Sequence, residues 1–212
     1  MTDSRPTLYL SRLLPEPVMV ILRERFRLVQ EPLDALPAPS TLREGLCRSD
    51  AAIVTLGDHI DAETIHAATR LKILANYAVG YNNIDLMAAR QRGLIVTNTP
   101  DVLTDATADL TWALLLATAR RILEGDTLVR SGRWTGWSPT QLMGTEISGK
   151  TLGIIGMGRI GQAVAGRAVG FRMPVRYHSR QPIAHSSLPR EWEYRSLHGL
   201  LSEADVVTIH AP

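Results

Sequence analysis

Three glycines, at positions 156, 158 and 161, form the pattern in this sequence with the clearest chemical meaning. They follow the apolar run Thr151–Ile155, which predicts a β-strand, and they precede a predicted helix over Gln162–Val169. Gly156 permits a tight turn, Gly158 lets the backbone approach a phosphate group, and Gly161 allows the helix to pack closely on the strand. This division of roles is typical of a loop that binds a dinucleotide.

The surroundings of the pattern decide between such a binding loop and an ordinary glycine-rich turn. The predicted helix ends at Gly170, which we interpret as a C-terminal glycine, and another strand is predicted over Met173–Tyr177. Strand, turn, helix and strand within about 30 residues is the context in which the pattern binds a dinucleotide. Arg159 and Ile160 then lie at the helix start, where N–H groups and the positive end of the helix dipole face the pyrophosphate.

The residues after the second of these strands indicate which dinucleotide is bound. Proteins of this kind that bind NAD carry an acidic residue here, which holds the ribose 2′-hydroxyl. This chain instead has His178-Ser179-Arg180-Gln181, without a carboxylate. Arg180 is able to pair with a 2′-phosphate, helped by the Ser179 hydroxyl; a solvated loop cation is the alternative. The sequence favours NADPH over NADH, with Ser179, Arg180 and Gln181 at the 2′-phosphate.

A second candidate anion site follows the predicted strand Leu71–Ala75. The chain there runs through Val79 and Gly80 before a predicted helix near Asp85. A glycine in a loop at a strand end is able to bring backbone N–H groups up to a carboxylate. On spacing alone Gly80 is equally well explained as a turn residue.

The elements that position these loops alternate between strands and helices. This alternation predicts an α/β fold with a parallel sheet and helices on its faces. In the first hundred residues the predicted strands are Thr7–Leu10, Ala51–Thr55, Leu71–Ala75 and Leu94–Thr97, and the predicted helices are Glu16–Arg25, Asp61–Thr69 and Asp85–Arg92.

The dipeptide before Pro100 interrupts the alternation and predicts a domain boundary, with domains at residues 1–98 and 99–212. Thr104 is predicted to cap a long helix that continues toward Ser131. Because Leu110–Ala119 is apolar on nearly every face, we expect that part to be buried on several sides. A core helix and a helix lying between domains or subunits fit this pattern equally.

After Gly149 the sequence predicts three strands, namely Thr151–Ile155, Met173–Tyr177 and Asp205–Ile209. A complete dinucleotide-binding sheet has six strands, and its binding crevice needs the fourth as a wall. We therefore expect a chain truncated after its third strand, which leaves that strand as an exposed apolar edge.

The composition is that of an ordinary globular protein. The 212 residues are 45% hydrophobic and 21% charged, with a net charge of +2, which is too small to indicate nucleic acid or a membrane surface as a partner. A single cysteine and the lack of a signal-like or membrane-spanning apolar run fit a cytoplasmic protein. The six histidines show no metal-ligand spacing.

From Asn76 through Pro212 the chain resembles the D-isomer-specific 2-hydroxy acid dehydrogenase family, and within it the glyoxylate and hydroxypyruvate reductase branch. The residues that carry the resemblance are Val79–Asp85, Asn98–Asp105 and Gly149–Gly161. The resemblance implies a flavodoxin-like substrate domain followed by the first half of a Rossmann NAD(P)-binding domain.

The resemblance also implies roles for individual residues. The N–H groups of Val79 and Gly80 hold the substrate carboxylate, with Leu56 facing the same site. Thr107 lies close to the nicotinamide, and Ala211 and Pro212 lie beside the cofactor. A tryptophan matching Trp137 reaches the active site of the partner subunit in similar reductases, which implies a homodimer; a partly buried loop aromatic is the alternative.

The implied activity is the reduction of glyoxylate or hydroxypyruvate with NADPH. The catalytic histidine, glutamate and arginine of the family lie beyond the third predicted strand, so no catalytic residue is predicted here and the 212 residues alone are expected to be inactive. A cofactor-sensing interaction module, as in the corepressors that share this fold, and an enzyme of the phosphoglycerate dehydrogenase type are the alternatives. The lack of an acidic residue at His178 or Ser179 counts against the latter, whose members usually prefer NAD.

Overall fold

A computed structural model describes residues 4–29, 32–184 and 188–211. The chain divides into two compact units, the first running to Val102 and the second from Leu103 to Ala211. This division lies close to the boundary that we predicted before Pro100. The assignment of the units to substrate and cofactor remains a prediction.

The first unit is a parallel sheet flanked by helices. Its five strands are hydrogen-bonded in the order β2-β1-β3-β4-β5, which is the flavodoxin-like order. Its elements are β1 (Thr7–Leu10), α1 (Glu16–Arg25), β2 (Arg27–Leu28), α2 (Pro39–Cys47), β3 (Ala51–Val54), α3 (Ala62–Ala67), β4 (Ile73–Asn76), α4 (Leu86–Arg92) and β5 (Ile95–Thr97).

The side chains of β1 show why both faces of this sheet are covered. Successive residues of a strand point to opposite faces. Leu8 and Leu10 pack with Met19 of α1 on one face, while Tyr9 packs with Leu42 and other buried residues in a second cluster. The sheet therefore has two separate hydrophobic layers, which fixes the register of its strands.

The four strands and three helices predicted for this unit are confirmed, with ends shifted by a few residues. Two of the helices begin as their sequences predict. The Asp61 and Asp85 carboxylates accept hydrogen bonds from the N–H groups of Thr64 (2.8 Å) and Ala88 (2.9 Å). The short strand β2 and the helix α2 were not predicted.

The second unit contains a second parallel sheet. Its strands are ordered β8-β7-β6-β9. The elements are α5 (Thr104–Ala119), α6 (Ile122–Arg130), β6 (Leu152–Ile155), α7 (Arg159–Ala168), β7 (Val175–His178), β8 (Trp192–Tyr194), α8 (Leu197–Glu203) and β9 (Val206–Ile209).

The prediction of three strands in this unit was wrong, because the sheet also contains β8. In order of sequence the strands are β6, β7, β8 and β9, so the sheet has the 3-2-1-4 order of a Rossmann half with its next strand added. The last strand is therefore the fourth, and it lies beside β6. It is an apolar edge strand, as predicted, with Ile209 67% exposed.

The long helix predicted from Thr104 to Ser131 is two helices. Arg121, between α5 and α6, has a left-handed backbone (φ 53°). The carbonyl of Ala119 accepts a hydrogen bond from the N–H of Thr145 (2.8 Å). In a continuous helix this carbonyl would instead accept from an N–H of the next turn. Thr104 is the first residue of α5 and not its cap, since the cap position is Leu103 and no side chain caps the helix.

Within the described chain, α5 is not buried on several sides. Only Ala108 and Trp112 of this helix are buried, whereas Leu110 and Leu114 are 59% and 60% exposed. Trp112 stacks on Phe171 with ring centroids 4.6 Å apart, and its indole N–H donates to the carbonyl of Val164 (3.1 Å), which fixes the buried face against α7 and the turn that follows it. Within the described ranges, neither α5 nor any other helix combines the length and apolar character needed to cross a membrane.

The predicted end of α7 at Gly170 needs a similar correction. The helix ends at Ala168 and passes into a 3₁₀ turn over Val169–Phe171. The residue with the left-handed backbone is Arg172 (φ 54°), and its N–H donates to the carbonyl of Val169. Gly170 therefore does not act as the left-handed cap.

Candidate functional site

The turn between β6 and α7 depends on two glycines for steric reasons. Gly156 has φ 97°, and a Cβ there would lie 2.5 Å from the carbonyl oxygen of His210. A Cβ on Gly161 would lie 2.2 Å from the carbonyl oxygen of Gly156. Since real Cβ atoms do not approach so closely, the tight turn and the close helix packing predicted for these residues are confirmed.

Gly158 differs from the other two glycines because it faces open space. A Cβ there would meet no heavy atom within 4 Å, and the residue forms the uncapped start of α7. Arg159 is exposed and Ile160 is half-buried at this helix start. An uncapped helix start beside an open glycine surface suits an anionic group, because the helix dipole and backbone N–H groups favour negative charge there.

The end of β7 adjoins this turn. The N–H of Gly156 donates to the carbonyl of His178 (2.8 Å), which places Ser179, Arg180 and Gln181 immediately beyond the glycine turn. The Ser179 hydroxyl donates to the carbonyl of Gln181 (2.6 Å), and this hydrogen bond within the loop holds its conformation. Arg180 is exposed, and no side chain or carbonyl in the described part of the chain binds it.

The other side of the turn is formed by the end of β9. The N–H of His210 donates to the carbonyl of Ile155 (2.7 Å), and the Nε2 atom of its ring lies 2.9 Å from the Thr208 hydroxyl. Burial lowers the pKa of His210, which favours the neutral ring. The exposed Ala211 follows directly; Pro212 lies outside the described residues.

These contacts correct the expectation that the crevice lacks its fourth-strand wall. The strands β7 and β9 pair with β6 on opposite sides, so the turn lies at the point where the strand order reverses. In open α/β sheets this is where ligands bind, at the carboxyl ends of the strands. The glycine turn, the loop after β7 and the end of β9 therefore form one candidate cofactor site.

Thr107 lies near the start of α5, a helix that packs along α7. Arg167 of α7 binds the carboxylates of Asp105 (3.1 Å) and Asp109 (2.7 Å), on either side of Thr107 in sequence. Thr107 is half-buried, and its carbonyl accepts from the Thr111 hydroxyl (2.8 Å). These ion pairs fix the beginning of α5 against the helix whose first turn faces the candidate cofactor site.

The loop after β4 in the first unit forms the second candidate site. Its carbonyl groups are held by two asparagine side chains: Asn76 Nδ2 donates to Gly80 (2.8 Å) and Asn98 Nδ2 donates to Val79 (2.9 Å). Among the residues that the structure describes, the N–H groups of Val79 and Gly80 have no acceptor. Two adjacent free donors at the end of a strand form a place for a carboxylate.

Leu56 lies next to this loop, as predicted. Its Cδ2 atom is 3.6 Å from the position that a Cβ on Gly80 would take. The side-chain amide of Asn83 donates to the carbonyls of Thr55 (3.1 Å) and Asp58 (3.0 Å), which ties the turn after β3 to the segment that follows β4. The structure thus brings Leu56, Val79 and Gly80 together. The asparagines that hold them were not predicted, because nothing in their spacing marks them.

Trp137 lies in the irregular segment between α6 and β6. It is 82% exposed, and Trp134 of the same segment is 53% exposed. The alternative of a partly buried loop aromatic does not describe Trp137 in this chain. Its predicted contact with a partner subunit remains a prediction.

The chain is an α/β protein with a glycine turn typical of dinucleotide binding in one unit and a candidate carboxylate site in the other. Residues 112–212 match the profile of the D-isomer specific 2-hydroxyacid dehydrogenase, NAD binding domain. A glyoxylate reductase from Thermococcus kodakarensis is 46% identical over 212 aligned residues, which cover 98% of this chain and 64% of that protein. The chain belongs to the D-isomer-specific 2-hydroxy acid dehydrogenase family.

Solved structures agree with this membership. A protein from Thermus thermophilus matches with a TM-score of 0.87 and 46% identity, over 97% of this chain and 65% of that one. An NADPH-dependent glyoxylate/hydroxypyruvate reductase from Sinorhizobium meliloti, solved in complex with NADP and malonate, matches with a TM-score of 0.82 and 31% identity. That match covers 99% of this chain and 63% of the reductase. The chain thus spans less than two thirds of the length of the reductases that it matches.

Proposed function

We propose that the protein reduces small 2-oxo acids, glyoxylate and hydroxypyruvate, to 2-hydroxy acids with NADPH. The observation that carries this proposal is the pair of N–H groups at Val79 and Gly80, which have no acceptor in the described part of the chain and suit the substrate carboxylate. The glycine turn in the second unit suits the cofactor pyrophosphate. The glyoxylate reductase from Thermococcus kodakarensis and the glyoxylate/hydroxypyruvate reductase from Sinorhizobium meliloti support the same substrate class.

In this proposal the residues of the chain bind and orient the two reactants. Val79 and Gly80 N–H groups fix the carboxylate, and Leu56 limits the space beside it. Gly158 and the start of α7 hold the pyrophosphate, Thr107 lies close to the nicotinamide, and Ala211 and Pro212 lie along the cofactor. When bound, NADPH supplies the hydride that the oxo carbon accepts.

The chemical step itself is proposed for the whole protein. No residue of these 212 matches the histidine, glutamate or arginine to which the family resemblance assigns proton transfer and clamping of the oxo acid. His210 is half-buried against Thr208, and we assign it a structural role. We expect the 212 residues alone to bind ligands without turnover. An assay of the whole protein with NADPH and glyoxylate or hydroxypyruvate tests the activity. If the protein reduces no 2-oxo acid and instead captures a protein partner in the presence of NADPH, the result would favour an interaction module.

The preference for NADPH is proposed on Arg180. It lies beyond the glycine turn, is exposed and has no partner in the described chain, so it is available to a 2′-phosphate. Replacing Arg180 by alanine removes a charge-assisted contact that only NADPH makes, so NADPH affinity should fall by about tenfold or more while NADH affinity changes little. Fluorescence titration of both cofactors measures the two dissociation constants, and Arg172→Ala, in the turn before β7, is a matched control. An equal loss for NADPH and NADH would contradict the assignment.

We also propose a homodimer in which Trp137 contacts the partner. The exposed Trp134 and Trp137, together with the exposed Leu110 and Leu114 of α5, supply apolar surface on the second unit. Sedimentation of the whole protein should show a dimer that Trp137→Ala weakens, while the unfolding temperature of the dissociated chain stays the same. A Trp137→Ala variant that sediments like the wild type would contradict this assignment.

A cytoplasmic location is proposed as well, and cell fractionation tests it.

A further inference from the structure

Arg12 is an arginine without a partner among the described residues, and it lies at the edge of the sheet that carries the candidate carboxylate site. It follows β1 directly, and the preceding residue, Ser11, continues the ladder through a bond from its N–H to the carbonyl of Ile53 (3.0 Å). The strands β1, β3 and β4 are neighbours in the sheet. Because carboxyl ends of parallel strands meet at one edge, Arg12 shares an edge with the turn after β3 and the loop after β4.

The surroundings of Gly57 and Gly80 locate the Arg12 guanidinium within this edge. The Nη2 atom of Arg12 lies 3.8 Å from the position of a Cβ on Gly57, so the guanidinium lies over the Leu56-Gly57 turn. Leu56 in turn reaches within 3.6 Å of the corresponding position on Gly80. Arg12 therefore lies near Gly57, together with Leu36, whose Cδ1 atom is 2.9 Å from the same Cβ position, and the neighbouring Leu56 lies near Gly80.

The Arg12 guanidinium has no acceptor in the described chain. Its Nε atom is buried without a hydrogen-bond partner, and no carboxylate forms an ion pair with it. Buried donors of this kind are rare in native proteins and call for an explanation. Other arginines of the same unit do find carboxylate or carbonyl acceptors, as seen for Arg43, Arg48, Arg70 and Arg92.

The buried carboxylate of Asp58 is engaged through one of its two oxygens, and its Oδ1 atom is buried without a hydrogen-bond partner. Its Oδ2 atom accepts from the Ser11 hydroxyl (2.5 Å), the Thr55 N–H (2.7 Å) and the Thr55 hydroxyl (3.0 Å). These bonds hold the end of β1 and the turn after β3 together. Asp58 therefore joins the end of β1 to the turn after β3, and among the described residues it forms no ion pair with Arg12.

We infer that Arg12 binds the terminal carboxylate of a longer substrate, so that the site accepts 2-oxo acids with a carboxylate at each end besides glyoxylate and hydroxypyruvate. The planar fork of guanidinium N–H groups matches a carboxylate in a bidentate arrangement. The first carboxylate binds the N–H groups of Val79 and Gly80, and this part of the inference rests on the proposed function. Leu56, between the two, contacts the carbon chain that joins them.

Nuclear magnetic resonance of the chain tests both halves separately, because backbone amides and arginine Nε–H groups give distinct signals. Acetate, malonate and succinate serve as unreactive probes with one or two carboxylates. We expect all three to shift the amide signals of Val79 and Gly80, and only the dicarboxylates to shift the Arg12 Nε–H signal. Silent Val79 and Gly80 amides would contradict the proposed function. Amides that respond beside an unresponsive Arg12 would overturn the present inference alone.

Substitution provides the quantitative test. Of malonate and succinate, the one that binds the wild type more tightly should lose about tenfold in affinity in Arg12→Gln. The affinity for acetate should change by less than about twofold. Arg12→Lys, which keeps the charge and loses the fork, should give a smaller loss than Arg12→Gln. Arg27→Gln on the edge strand β2 removes the same charge from the same unit and should leave both affinities unchanged.

Three results would overturn the inference. Equal weakening of acetate and dicarboxylate by Arg12→Gln would show a general effect of charge. Full dicarboxylate affinity in Arg12→Gln would show that the fork binds nothing in the ligand. A shift of Arg12 Nε–H with 3-phosphoglycerate but with neither dicarboxylate would assign the position to a phosphate group. Because the wild-type Arg12 signal is followed as well, the test stands even if a variant fails to fold.

Discussion

The loop after β4 and the turn after β6 both present backbone N–H groups at the carboxyl end of a parallel sheet, but they are held by different means. In the turn after β6, Gly156 and Gly161 allow backbone segments to approach more closely than any Cβ would permit. In the loop after β4, the side chains of Asn76 and Asn98 hold the carbonyls of Gly80 and Val79. One loop is shaped by the absence of side chains and the other by their hydrogen bonds.

This difference determines how each loop should respond to substitution. At Gly161 a methyl group has a backbone oxygen in its way, and a backbone oxygen does not move without disturbing the strand. At Gly80 the nearest atom to such a methyl is the flexible end of Leu56, at an ordinary contact distance of 3.6 Å. We therefore expect glycine identity to matter greatly in the turn after β6 and little in the loop after β4.

The largest effect is expected for Gly161→Ala. Its Cβ would lie 2.2 Å from the carbonyl oxygen of Gly156, so α7 must move away from β6. Overpacking of this kind costs about 3 kcal/mol of the free energy of unfolding. All four tryptophans lie after residue 102, so tryptophan fluorescence during urea unfolding reports on the second unit.

Gly158→Ala is the matched control for that measurement. It adds the same methyl group in the same turn, where no atom lies within 4 Å. Its cost should stay below about 1 kcal/mol, the range of helix-cap substitutions. NADPH binding should nevertheless weaken, because the methyl occupies space proposed for the pyrophosphate. Equal destabilisation by the two substitutions would contradict the steric account of this turn.

The same contrast explains what the sequence predicts well. The close contacts in the turn after β6 require glycine itself, so the requirement is visible as three spaced glycines between a strand and a helix. The aspartate caps at Asp61 and Asp85 are similarly local, and the helices that they begin were predicted. Features that depend on one short segment are therefore predictable from the amino-acid sequence alone.

Features that depend on distant segments were missed. Asn76 and Asn98 act on one loop from two different strand ends, and neither position has a recognisable spacing. The break between α5 and α6 involves Thr145, which follows α6 in sequence and binds the carbonyl of Ala119. The three-residue strand β8 is too short for its periodicity to show, and its omission caused the error in the strand count. Tertiary contacts decide these features, and local patterns do not contain them.

A smaller effect is expected for Asn98→Ala, in the loop after β4. It removes the hydrogen bond to the Val79 carbonyl, which should cost about 1 kcal/mol. Since the loop then holds its N–H groups less firmly, acetate affinity should fall about fivefold. Hydrogen exchange of the Val79 and Gly80 amides and titration of their resonances measure the two effects. Asn82→Ala is the control, because Asn82 is exposed in the same segment. A similar loss of acetate affinity in that variant would show that the side-chain amide of Asn98 is not specifically needed.

The smallest effect is expected for Gly80→Ala, which separates the need for a glycine from the need for its N–H group. The residue does not have a left-handed backbone, and the added methyl meets only Leu56 at 3.6 Å. Stability should change by less than about 0.5 kcal/mol, as for substitutions that disturb no special feature. Because the N–H group remains, acetate should still shift the amide of residue 80 with nearly the wild-type affinity. Loss of binding in this variant, with stability retained, would mean that the methyl blocks the carboxylate itself and would place the anion directly over Cα of Gly80.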